Sequence, residues 1–117
     1  MEIVKTWDFT DSQSITVNDR RYNVHAAIKL SEYLPVKDYL IEDLYIAYES
    51  PCDDNLRSFI EHMRMVVDAD LSYPVLMNED GFIIDGRHRL SKAILNKQKT
   101  IKGVRFMKDP CACYTVI

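Results

Sequence analysis

The chain is short of the residues that divide or staple a protein. Of 117 residues only three are glycine, four proline and three cysteine. No Pro/Gly-rich linker, internal repeat or low-complexity tract separates one folding unit from another, so residues 1–117 read as a single domain. Cys52, Cys111 and Cys113 are an odd and sparse set, which is not a secreted disulfide framework and points to a reducing, cytoplasmic setting. Long apolar runs are missing too. No segment reaches membrane-spanning length, and Glu2, Lys5, Asp8 and Asp11 break up the region where a signal core would be apolar, so no membrane partner is expected. Nor does one sign of charge dominate: 15 Lys and Arg stand against 18 Asp and Glu, a formal net charge of −3. That balance offers no broad basic surface to a polyanion, and any nucleic-acid or nucleotide contact must be local.

What is present is enough apolar content, 47%, to bury one continuous core. Between Glu2 and Val24, β-formers such as Ile3, Val4, Ile15 and Val17 alternate with turn residues including Asn18-Asp19, which predicts a small hairpin. Val24, Ala27, Ile28 and Leu34 then recur at helical spacing behind Asn23 as N-cap, giving a first helix of about three turns that halts at Leu34-Pro35. Short strands are expected at Val36–Asp38 and Leu44–Tyr48. The clearest helix follows a polar loop whose Asp53-Asp54 suits capping: Leu56, Phe59, Ile60, Met63 and Val67 form one apolar stripe from Asn55 to about Asp68. Tyr73–Met77 and Phe82–Ile84 read as a hairpin closed by Asn78-Glu79-Asp80-Gly81. A third helix starts near Gly86, Ile101–Phe106 makes a strand, and residues 107–117 form a tail with a β-rich end. The expected fold is α+β, a compact mixed sheet of short strands with about three helices. Residues 1–33 form an N-terminal extension and 34–106 the core.

The stretch that carries chemistry is Gly81-Phe82-Ile83-Ile84-Asp85-Gly86-Arg87-His88-Arg89-Leu90-Ser91-Lys92-Ala93. A strand that stops at a glycine and releases the chain into a helix leaves first-turn N–H groups unpaired, and such groups attract anions. Arg87, His88, Arg89 and Lys92 crowd cationic donors onto the end of the helix where the macrodipole disfavours them, which is easier to understand if phosphate binds there. A purely structural reading makes Gly86 a turn glycine and Asp85 the N-cap of the helix. Should a nucleoside triphosphate bind, Mg²⁺ is its expected companion, and Asp85, Asp70 and Glu49 are the candidate carboxylates. His62 lies between the apolar stripe and the exposed side of its helix and reads as a packed or surface histidine, although it and Arg64 precede the motif hairpin closely enough to line the same cleft. Tyr73 and Tyr48 are candidates for stacking on a base. Cys111-Ala112-Cys113 lacks the spacing of structural zinc and a nearby histidine, so no zinc site is expected.

The run Tyr73-Pro74-Val75-Leu76, followed by Phe82 to Ala93 with its Asp85-Gly86-Arg87-His88-Arg89 core, resembles the ParB/sulfiredoxin-like superfamily over about Leu34 to Phe106. The resemblance implies a small α/β fold that binds a nucleotide, ATP or CTP, with phosphates on the motif loop. Gly86, His88 and Arg89 are the matching positions and Arg87 lies between them. It also sets limits: Arg87 stands where sulfiredoxins need cysteine, and the helix-turn-helix domain of partitioning ParB proteins does not fit after Phe106. The functions this suggests are phosphate binding by Gly86, Arg87, His88, Arg89 and Lys92, with phosphoryl transfer or hydrolysis assisted by Asp85, His88, Glu49 or Asp70 onto a small-molecule or protein acceptor. The rivals are a metal-dependent nuclease or nucleic-acid-binding protein, disfavoured by the acidic chain, and a non-catalytic protein-interaction or regulatory module.

Overall fold

A computed structural model describes residues 13–44 and 55–117. Over these residues the chain forms an α+β fold of three α-helices and short strands in two sheets, where the sequence suggests one. β1 (Ser14–Val17) and β2 (Arg20–Asn23) make the expected antiparallel hairpin. Its two-residue turn is Asn18-Asp19, with Asn18 at φ +56°, a conformation asparagine tolerates better than most side chains. The tail supplies the third strand of this sheet, β7 (Tyr114–Val116), antiparallel to β2. The second sheet has the order β3 (Lys37–Leu40), β6 (Thr100–Arg105), β4 (Val75–Met77), β5 (Ile83–Asp85). In this sheet the β4–β6 pair is parallel, and the β3–β6 and β4–β5 pairs are antiparallel.

Alternation along the second sheet builds the core on both its faces. Leu76, Ile84, Val104 and Phe106 point to the side covered by the small sheet and α1 (Val24–Leu30), where they meet Val17, Tyr22, Ala27 and Cys113. Val75, Met77, Ile83 and Ile101 point to the other side, against Leu90 and Ala93 of α3 (Arg87–Leu95). Asn23 caps α1 as expected, accepting from the Ala26 N–H at 2.8 Å. The helix is shorter than its pattern suggests because Ser31 ends it: its N–H donates to the Ala27 carbonyl, and its Oγ to that of Ile28.

α2 (Leu56–Asp68) spans the residues foreseen, but Asn55 is its cap, accepting from the Ser58 N–H at 2.8 Å. Asp53 and Asp54 lie outside the described residues, as do the N-terminal strand residues Ile3 and Val4. The expected strand over Leu44–Tyr48 is corrected at Leu44, which follows a 3₁₀ turn, Ile41–Asp43; Tyr45–Tyr48 are outside the described residues. The apolar stripe of α2 does not enter the core. No residue of this helix is buried, and it touches the body through the half-buried row Ser58, His62, Val66 and Ala69.

Candidate phosphate-binding cleft

β5 ends at Asp85, and Gly86 turns the chain into α3 in a left-handed conformation, φ +105°. A Cβ at this position would lie 2.8 Å from Val75 Cγ1 and 3.1 Å from Val75 Cα. Glycine is therefore required twice over, by its backbone angle and by the close approach of β4. Gly86 is the N-cap of α3, and no side chain among the described residues caps its first turn. Asp85 does not take that role. Its Oδ2 accepts from Arg89 Nη2 at 2.7 Å, an i,i+4 ion pair, while Arg89 Nη1 donates to the Pro74 carbonyl at 2.6 Å. Arg89 thus ties the start of its own helix to the residue that leads into β4.

Lys92, one turn further on, also has a protein partner. Its Nζ donates to the carbonyls of Val67 at 2.8 Å and Ala69 at 2.7 Å, at the C-terminal end of α2. A cation satisfying the last carbonyls of a helix is favourable on both hydrogen-bonding and dipole grounds. Arg89 and Lys92, two of the four cations that crowd this helix, are therefore engaged by protein acceptors rather than free to face a ligand. His88 forms the second link between these helices, its Nε2 lying 2.9 Å from His62 Nδ1. His62 is accordingly neither plain core nor plain surface. Burial, and then the neighbouring His62 and Arg89, hold the His88 ring below the usual histidine pKa, with Asp85 opposing the shift.

Beside the Gly86 turn lies a cleft of about 550 Å³. Asp70, Tyr73, Asp85, Gly86, His88 and Arg89 line it, so six residues singled out from the sequence come together. Arg87, Lys92 and Arg64 are not in its wall, and Glu49 and Tyr48 lie outside the described residues. Asp70 is exposed and held below the ordinary carboxylate range by the hydroxyl and backbone N–H of Ser72, both bonded to its Oδ1, at 2.7 and 2.9 Å. Other lining residues were not foreseen: Ile28 and Ser31 come from the end of α1, and Met65 from α2. Only tertiary packing brings the end of α1 to the same cleft as the α3 turn, so no local signal could have found it. Among the described residues, no cluster of three or more His, Cys, Asp or Glu could hold a metal ion. The free cysteines differ: Cys111 is exposed, whereas Cys113 is buried, which pushes its thiol up to about 12.

In comparisons with known proteins, the chain matches no family model, no curated protein and no solved structure.

Proposed function

We propose that the cleft beside Gly86 binds the phosphate groups of a nucleotide such as ATP or CTP, as the ParB-like motif implies. The observation that carries this reading is the start of α3, which no side chain of the described residues caps, opening beside a cleft lined by Gly86, His88 and Arg89. First-turn N–H groups with the helix dipole behind them favour an anion, and when His88 Nε2 accepts from His62 the Nδ1–H of His88 is left to donate to the same oxygens. Arg89 uses two of its nitrogens on protein acceptors, so its part is a fixed charge at the rim rather than a free clamp. Tyr73, exposed on the cleft wall, offers a flat surface for a base. The described residues offer no metal cage, so Mg²⁺ would arrive on the phosphates, with Asp70 able to supply one carboxylate oxygen. The reading stops at binding. Asp70 and Asp85 already accept hydrogen bonds from Ser72 and Arg89, and Asp70 is held below the ordinary carboxylate range, the wrong direction for a poised general base.

Calorimetric titration of ATP, CTP, GTP and inorganic triphosphate, with and without Mg²⁺, tests the reading. Saturable binding by a nucleotide, competed by triphosphate and weakened about fivefold or more in His88→Ala, is the expected result. No saturable heat with any of the four, from protein whose circular dichroism shows it folded, overturns it.

A further inference from the structure

The face of α2 that its sequence marks most strongly as core is the one left uncovered by the described residues. At 100° per residue, Leu56, Ile60, Met63 and Val67 fall in one narrow stripe, and each is between 50% and 72% exposed. The row that meets the body, Ser58, His62, Val66 and Ala69, lies on one flank. The other flank carries Arg57, Glu61, Arg64 and Asp68, all exposed, at the same spacing of four, three and four residues. Their signs alternate along the helix: plus, minus, plus, minus. Read backwards, this row is opposite in sign at every position, which is the condition for pairing with itself in antiparallel orientation.

We propose that α2 is a self-association surface on which a second copy of this chain packs its own α2 antiparallel across a two-fold axis. About such an axis, one flank of each helix faces the same flank of the other. Arg57 then lies opposite Asp68 of the second copy and Glu61 opposite Arg64, and symmetry repeats both pairs. The stripes meet in a register two residues, about 3 Å along the axis, from that of the charge row, which side chains of this length span: Leu56 faces Val67 and Ile60 faces Met63. The apolar stripe supplies the driving force and the charge row fixes orientation and register. Because the body-facing flank still holds His62 against α3, with Met65 on the cleft wall, the pairing leaves the cleft open in both copies.

Sedimentation equilibrium on the full chain between about 1 and 500 µM tests this, read with two exposed-residue variants whose folding is checked by circular dichroism. The wild type should show a monomer–dimer equilibrium. R64E places two like-charged pairs at the interface and should weaken association about tenfold or more. E61R combined with R64E exchanges the signs within the row and should restore association to within about threefold of wild type. A wild-type chain that is monomeric throughout, a stripe occupied by some other partner only, or a dimer that R64E leaves unchanged would each overturn the proposal.

Discussion

At the scale of single residues, glycine and arginine in the motif have protein-internal reasons to be there. Gly86 needs both a positive φ and room beside Val75, so its presence says nothing about a ligand. Gly86→Ala should cost about 2 kcal/mol or more in a urea denaturation, because the left-handed strain alone is about 1–2 kcal/mol and the contact with Val75 adds to it. An alanine variant as stable as wild type would show that the turn can relax. The same residue-level account explains what the sequence could and could not disclose. Spacing alone located the strand-turn-helix and its crowd of cations. It could not disclose that Arg89 would fold back on Asp85 and the Pro74 carbonyl, because the second partner lies 15 residues away in the chain. Arg89, Lys92 and His88, which suggested a phosphate cradle, all have protein partners, so the case for one rests on the first-turn N–H groups of α3 more than on a crowd of free cations.

At the scale of elements, α2 and α3 are held together by polar links rather than by a shared apolar seam. Lys92 closes the end of α2, and His88 meets His62 in its middle. Lys92→Met keeps the aliphatic stem and removes the donor, so it should destabilise by about 1 kcal/mol and speed amide hydrogen exchange in the last turn of α2 more than in the sheet. Equal exchange in the two regions would mean that the link is not local. The histidine pair adds a pH dependence. With its pKa held below the ordinary 6.5 in the folded protein, His88 binds its proton more readily when unfolded, so its contribution to stability is complete above about pH 6.5 and is lost as the pH falls below it. The groups acting on the ring are His62 from α2, Arg89 from α3 and Asp85 from the end of β5. Urea midpoints measured from pH 8 to 5 should fall for the wild type and fall less for His88→Gln; parallel curves would remove the pair from the account. Periodicity identified both helices, yet it assigned the wrong face of α2 to the body, because a hydrophobic pattern reports which face avoids water and not what covers it.

Across the whole molecule, one buried carboxylate fastens the two sheets together. Asp109, which no motif in the sequence marked, is almost fully buried and accepts from Tyr22 Oη at 2.5 Å, Arg20 Nη1 at 2.7 Å and the Glu79 N–H at 2.9 Å. Arg20 also pairs with Glu79 at 2.7 Å and lies 4.3 Å from the centre of the Tyr114 ring, while Asn78 donates to the Tyr22 hydroxyl. The first hairpin, the β4–β5 turn and the tail thus share one network, joining segments up to 89 residues apart. Strands were legible because alternation is local; their division into two sheets was not, since it depends on this long-range clasp and on the pairing of β7 with β2. Burial and the bond to Asp109 push the Tyr22 phenol up to about 12. The neutral phenol is the form the fold favours, so its stabilisation is complete below about pH 10 and disappears as the pH rises through about 12. Asp109→Ala should cost about 3 kcal/mol, because it leaves the Arg20 charge and the Tyr22 hydroxyl without their shared acceptor. It should also bring the last tyrosine ionisation, followed by ultraviolet absorbance, down toward that of an ordinary phenol. Tyr22→Phe should abolish that late ionisation altogether while costing less stability than Asp109→Ala, since Arg20 and the Glu79 N–H keep their acceptor. The reverse order of costs would place the clasp in the phenol rather than in the carboxylate.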